Sequence, residues 1–285
     1  MKIFVTGANG QVGRSLQKIA NGYPHHVFTF TDLPEGDIAD SSAMAALLDA
    51  EKPGAIINCA AYTAVDRAEN ESAAAERANC LGPETLANLA RERRIKLVHL
   101  STDYVFDGTG HRPLREGDPT GPQGMYGATK LAGERAVQAS GCDAAVIRTA
   151  WLYSEFGNNF VKTMLRLAEE GKPLRVVSDQ MGSPTYAENL ARAILQVIEH
   201  GIAGFNLYHY ADSGAVSWYE FARMIFELTE CNITVEPVAT SDYPTLAHRP
   251  AYSVLDTAKI RGIGAAAPLW WRALQVCLKA LEVNH

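Results

Sequence analysis

The stretch KIFVTGANGQVGRSLQKIANG, residues 2–22, decides the fold. KIFVT (2–6) is a short β-rich run, Gly7, Gly10 and Gly13 follow at once, and a helical pattern takes over behind them. Strand, glycine turn and helix in immediate succession open a βα unit. The same rhythm continues outward. HVFTFTD (26–32), AIINCAA (55–61), KLVHLST (96–102) and AAVIRTAWLY (144–153) read as strands. Between them SSAMAALLDAEKP (41–53), with Ser41 as N-cap and Pro53 as stop, reads as a helix. So do ESAAAERANCLGPETLANLARERR (71–94), broken at Gly82-Pro83, and YGATKLAGERAVQAS (126–140). Strands alternating with helices over short connections predict an α/β fold, a Rossmann-type doubly wound parallel sheet with helices on both faces.

Past residue 150 the rhythm loosens. Amphipathic helices are expected over 158–171, 187–201, 217–230 and 269–282. SDQMGSPTY (178–186) and SDYPTLAHRPAY (241–252) separate them as polar, proline-containing segments. The expected organisation is a dinucleotide-binding domain over 1–150 and a smaller C-terminal α/β substrate lobe over 151–285, some of whose segments return to the first domain.

The glycines sit where a dinucleotide needs them. They let the backbone approach a pyrophosphate whose charge rests on the helix N-terminus. Gly7, Gly10 and Gly13 are therefore candidate cofactor residues. Asp32 closes the second strand, about 20 residues further on, where a carboxylate accepts hydrogen bonds from a ribose and repels a 2′-phosphate. Arg14 beside the loop offsets such a phosphate, so both NADPH and NADH stay open as cofactors.

Composition narrows the partners. The 285 residues include 26 basic and 32 acidic side chains, a net charge of −6, with no dense Lys/Arg run. That gives no electrostatic footing for nucleic acid or a polybasic membrane contact. No apolar run approaches membrane-spanning length. The apolar start, Met1–Thr6, is too short for a signal segment and runs directly into the glycines. The five cysteines are scattered and odd in number, as expected of reduced thiols in a cytoplasmic protein.

MYGATK (125–130) carries the chemistry. Tyr126 and Lys130 lie four apart on a predicted helix and so share one face. Thr102 stands at the carboxyl end of a parallel strand, where open α/β sheets place their ligands. Alone, Tyr-x-x-x-Lys is a common solvated helix pair. Combined with the glycine loop it assembles a carbonyl-reducing constellation: Tyr126 as proton donor, Lys130 to favour the tyrosinate, Thr102 to orient the carbonyl. A phenol of ordinary pKa about 10 brought near neutrality needs about 4 kcal/mol of differential stabilisation, which a close ammonium can supply.

The motifs NCAAYTAVDRAE (58–69), LSTDYVFDG (100–108), MYGATKLAGE (125–134), RTAWLY (148–153), NNFVKTMLRLA (158–168), DQMGSPT (179–185) and HRP (248–250) follow the glycine loop in order. In that order they resemble the dTDP-4-dehydrorhamnose reductases, extended short-chain dehydrogenase/reductases, across nearly the whole chain. The resemblance implies NAD(P)H-dependent reduction of the 4-keto group of dTDP-4-dehydro-L-rhamnose to dTDP-L-rhamnose, with Thr102, Tyr126 and Lys130 catalytic. It adds Gln11 and Val12 beside the glycines, with Asp37, Ile38, Ala61, Tyr62 and Thr63, as cofactor contacts, and Thr102, Asp103 and Trp151 as substrate contacts. Asn159, Lys162, Gln180 and Arg249 are implied for the nucleotide diphosphate, where a guanidinium suits phosphate. Trp151 is expected to offer a flat apolar face.

One departure matters. Some members of this family dimerise around Mg²⁺ held by glutamates, one of them in the helix after the glycine loop. Here Ser15 takes that place, although Glu188 is present. A missing carboxylate weakens a hard-cation site, so no structural Mg²⁺ and a monomer or weak homodimer are expected. Two other readings stand beside the reductase: a redox-neutral 4-epimerase or dehydratase of the same extended group, and a non-catalytic NADP-binding regulatory subunit.

Overall fold

The structure is a computed structural model that describes residues 1–171 and 173–283. Of the stretch 151–285, residues 172, 284 and 285 lie outside the described residues. Six strands form the central sheet: β1 (Lys2–Thr6), β2 (Val27–Phe30), β3 (Ala55–Asn58), β4 (Lys96–Thr102), β5 (Ala144–Thr149) and β6 (Phe205–Tyr210). They lie in the order β6-β5-β4-β3-β1-β2, with every pairing parallel. From β1 the chain builds outward to β2, then crosses back to β3 on the other side. That reversal opens a crevice at the carboxyl ends of β1 and β3, the place where open α/β sheets bind ligands.

Successive strand residues face opposite layers, and both layers are covered. Val5, Ile57, Val98 and Ile147 pack with Leu16, Leu190, Ile194 and Ile198 on one side. Phe4, Ile56, Leu97 and Val146 pack with Met44, Leu48, Leu86 and Val137 on the other. Burial of each such side chain contributes roughly 1.5–3 kcal/mol. A separate cluster of Tyr153, Phe221, Ile225, Leu274 and Leu278 forms the core of the C-terminal part. No helix among the described residues is long and apolar enough to cross a membrane.

Four local features differ from the sequence reading. Helix Ser41–Glu51 is capped by Asp40, whose carboxylate accepts from the Ala43 N–H, and Ser41 is its first residue. Gly82-Pro83 does not break the helical stretch but opens helix Gly82–Arg93, because a first-turn proline lacks only an N–H that has no partner there. The irregularity lies just before it, where Arg77–Leu81 widens into a π turn. The predicted strand 144–153 ends at Thr149, and Leu152–Tyr153 pairs instead with Thr185–Tyr186. Finally, β6 was not expected as a strand. Its sequence FNLYHY does not alternate cleanly, since His209 is fully buried among polar partners.

Candidate functional site

The glycine loop is closed against its surroundings. Gly7 has φ +65°, and a Cβ there would lie 2.4 Å from the Ala60 amide nitrogen at the end of β3. A Cβ on Gly13 would lie 2.4 Å from the Gly7 carbonyl oxygen. Gly10 caps helix Gln11–Ile19 with its N–H given to the Gly7 carbonyl, 3.1 Å away. These contacts leave a bare backbone cradle at a helix N-terminus, the donor set that a pyrophosphate fits. Val12 is buried behind it. Asp32 ties into this loop directly: one carboxylate oxygen accepts from Asn9 N–H at 2.7 Å and the other from Leu33 N–H at 2.8 Å. Arg14 stacks over the Phe156 ring, 4.6 Å from its centroid.

The remaining cofactor candidates fall into two groups. Asp37 accepts from Ala39 N–H and pairs with Arg77 at 2.5 Å. Burial opposes its ionisation, yet these two donors hold the carboxyl below its ordinary range. Ile38 is a core residue packed onto Gly82, so only its backbone can serve a ligand. Ala61 and Tyr62 are half-buried and Thr63 is exposed, all just past β3. Tyr62 is pinned on both backbone groups by the Asn79 amide, at 2.8 and 3.0 Å. Asn79 sits in the π turn, and its amide also reaches Thr129 in helix Met125–Ser140, at 3.2 Å. A Cβ on Gly133 of that helix would lie 2.1 Å from the Asn79 carbonyl oxygen.

The catalytic candidates converge at the end of β4. Thr102 is buried; its hydroxyl donates to Asp103 Oδ1 at 2.9 Å and accepts from Tyr104 N–H. Tyr126 meets Tyr104 edge to face, with centroids 5.5 Å apart. Lys130 is 2 % exposed and its ammonium donates to the Leu100 carbonyl at 2.6 Å. Here the structure revises the expected chemistry. Burial pushes the Tyr126 phenol well above its ordinary range, with Asp103 and Tyr104 adding to the rise and the Thr102 hydroxyl opposing it. The ammonium one turn away does not lower it, because Lys130 bends down onto the strand end. Lys130 itself is lowered to about 8, chiefly by burial, while Glu134 acts the other way.

Asp103 is 3 % exposed, with one carboxylate oxygen buried and without a hydrogen-bond partner. Burial raises it to about 6, against the pull of the Ser253 and Thr102 hydroxyls. A buried, unpartnered acceptor is costly unless something docks on it.

Of the substrate candidates, Arg249 reaches this cluster. It donates to the Tyr104 hydroxyl at 3.2 Å and pairs with Asp66, which also accepts from Ala247 N–H. Trp151 has φ +47°, a left-handed conformation that costs a non-glycine residue of order 1 kcal/mol. Its indole stacks on Trp218 with centroids 3.5 Å apart, so one of its faces is already covered. A Cβ on Gly182 would lie 2.3 Å from Trp151 Cε2, so only glycine fits there. Gly182→Ala should therefore displace the indole. The expected result is a loss of roughly 1–3 kcal/mol in urea unfolding and an altered near-ultraviolet dichroism from the broken tryptophan stack.

The other candidates are engaged within the chain. Asn159 caps helix Phe160–Glu169, and its amide ties to the Ser154 carbonyl at 2.7 Å and to Gln11 Oε1 at 3.2 Å. Lys162 reaches the Glu155 carbonyl at 3.5 Å, and buried Gln180 donates to Thr240 at 3.1 Å. Ser15 is fully buried and donates to the Gln11 carbonyl, while Glu188 pairs with Lys18 at 2.9 Å and Arg192 at 2.8 Å.

Sequence reasoning missed Tyr104, Asp66, Asn79 and Glu134. Asp66, Tyr104 and Glu134 lie within the motifs already singled out and Asn79 within the predicted helical stretch 71–94, but their partners come from distant segments. Glu134 carries the heaviest load. It accepts two bonds from Arg148, at 2.9 and 2.7 Å, and one from Ser101 at 2.5 Å, all of them buried. Arg148 continues to His209 Nε2 at 3.4 Å, and His209 Nδ1 meets the Leu114 carbonyl at 3.0 Å. Burial, then Arg148, holds His209 down to about 3, so it stays neutral with its proton on Nδ1.

Comparison with known proteins identifies the family. The family described as RmlD substrate binding domain matches residues 1–283. The dTDP-4-dehydrorhamnose reductase of Aggregatibacter actinomycetemcomitans is 40% identical over 285 residues, covering 96% of this chain and 97% of that protein. The crystal structure of a dTDP-4-dehydrorhamnose reductase from Clostridium acetobutylicum superposes with a TM-score of 0.94 at 41% identity, covering 99% of this chain and 100% of that one. The Bacillus anthracis dTDP-4-dehydrorhamnose reductase, solved in complex with NADP, gives 0.94 at 37% identity, covering 98% of this chain and 99% of that one. The chain thus belongs to the RmlD substrate-binding-domain family, that of the dTDP-4-dehydrorhamnose reductases.

Proposed function

We propose that this chain is an NAD(P)H-dependent oxidoreductase that reduces the 4-keto group of dTDP-4-dehydro-L-rhamnose to give dTDP-L-rhamnose. The observation that carries the reading is the convergence of Thr102, Tyr126 and Lys130 beside a glycine cradle in which Gly7 has no room for a side chain. Gly7, Gly10 and Gly13 would hold the pyrophosphate and Asp32 the adenosine ribose; the bound nicotinamide supplies hydride. The oxygen left negative at the former carbonyl needs a proton. Tyr126 is suited to give it: its raised pKa keeps the phenol protonated, and an alkoxide is far more basic than a phenolate. Thr102 orients the carbonyl, and Lys130, its ammonium held by the Leu100 carbonyl, carries positive charge at the strand end.

Asp103 fits a sugar hydroxyl, whose proton would satisfy its unpartnered oxygen. Arg249, delivered to Tyr104 by Asp66, fits the diphosphate. These roles set the pH profile. Lys130 loses its charge above about 8, so kcat/KM should fall as pH rises through that value. Asp103 loses its charge below about 6, so KM for the sugar nucleotide should rise as pH falls through it. Steady-state rates from pH 5 to 10 (about the titration range of these groups) test both limbs. Asp103→Asn should remove the acid limb and Lys130→Arg the basic one; limbs unmoved by these changes would discard the assignments.

The direct test of substrate combines the purified chain with dTDP-glucose, the upstream dehydratase and epimerase, and NADPH or NADH. Rhamnose nucleotide formed with stoichiometric cofactor oxidation supports the reading. Redox-neutral turnover points to an epimerase or dehydratase. We further place the protein in the cytoplasm as a monomer or weak homodimer without structural Mg²⁺; sedimentation with and without chelator checks the latter.

A further inference from the structure

At the opposite end of the sheet from these residues, the chain gathers two imidazoles and a carboxylate. His25 and His26 lie immediately before β2, and Glu199 stands in the last turn of helix Ala187–His200. His25 Nε2 is 2.8 Å from Glu199 Oε1, and His26 Nε2 is 3.6 Å from the same oxygen. One ligand atom from each residue falls within 4.8 Å of the other two. Ligands on a tetrahedral ion with bonds near 2.1 Å stand about 3.4 Å apart, so these separations bracket a metal centre.

The second observation is His26 itself. Its side chain is only 5% exposed, yet neither ring nitrogen has a hydrogen-bond partner. The ring is held by Tyr23, stacked at 6.5 Å, and by the edge of Phe28 at 6.1 Å. Buried polar atoms normally have partners, and here Glu199 Oε1 stands 3.6 Å from Nε2, beyond hydrogen-bond reach.

We propose that His25, His26 and Glu199 form a binding site for a divalent transition metal ion of the Zn²⁺ type, with the remaining coordination open to water. Two nitrogen donors and one carboxylate suit such a borderline ion rather than Mg²⁺ or Ca²⁺. Because the ligands come from the entry to β2 and from a helix of the flanking layer, the ion acts as a structural clasp.

The test is calorimetric titration of the chelator-treated, full-length protein with ZnCl₂, paired with thermal unfolding. The expected result is one saturable equivalent and a melting temperature higher by roughly 5 °C when Zn²⁺ exceeds its Kd about a hundredfold. His25→Ala and Glu199→Gln alter exposed side chains, so both should fold; each should weaken binding roughly tenfold or more and abolish the thermal shift. His26→Ala should do the same. Turnover should not change on chelation, since the site lies away from the carboxyl ends of the strands. No saturable binding, or binding equally strong in all three variants, as scattered cysteines would give, overturns the proposal.

Discussion

Tyr126→Phe is expected to lower kcat by roughly 10² to 10⁴-fold while leaving cofactor affinity nearly unchanged. The substitution removes one hydroxyl and no packing volume, so the ring keeps its edge contact with Tyr104. What disappears is the hydroxyl beside Thr102 that we propose as the proton donor. Stopped-flow measurement of NADPH oxidation, with cofactor affinity followed by fluorescence, separates the two effects. A variant that keeps more than about a tenth of the wild-type rate would remove Tyr126 from the chemistry. A native chain that never oxidises NAD(P)H, and whose only phenotype is partner binding, would favour the regulatory-subunit reading.

Arg148→Leu is expected to cost about 3–5 kcal/mol of folding stability. Arg148 and Glu134 side chains are 4% and 5% exposed, and the carboxylate takes two of its bonds from this guanidinium. Removing the cation strands a buried anion whose remaining hydrogen-bond donor, among the described residues, is the Ser101 hydroxyl. Chemical denaturation should show a lower midpoint at unchanged slope. Replacing both partners with leucine should recover much of the loss, because the stranded charge is gone. Glu134 also raises Lys130, so Glu134→Gln should shift the basic limb of the pH profile below about 8. A single variant as stable as wild type would show that water reaches the pair.

The sheet, the glycine loop and the Tyr-Lys pair were legible because their signals are local. Gly7 and Gly13 punctuate a strand and a helix within a few residues, and the four-residue spacing of Tyr126 and Lys130 is itself a helix period. Distant contacts were not legible. β6 is a strand only because β5 offers it an edge, with buried His209 satisfied from Leu114 and Arg148. Spacing put Lys130 on the same helix face as Tyr126 but could not show that its ammonium reaches Leu100. Asp40 displaced Ser41 as cap because its carboxylate, one residue earlier, already reaches Ala43 N–H. The flat apolar face expected of Trp151 gives no sign that Trp218, from a helix far along the chain, stacks on one side of the indole.

The π turn at Arg77–Leu81 has a mechanical consequence. Through Asn79 it rivets the loop after β3 to the helix that bears Tyr126 and Lys130, and Gly133 leaves no slack at the joint. Two sides of the crevice are thereby joined through a single amide side chain. The proline-bounded segment is tied to the same wall by polar contacts, Arg249 to Asp66 and Tyr104 and the Ala247 N–H to Asp66.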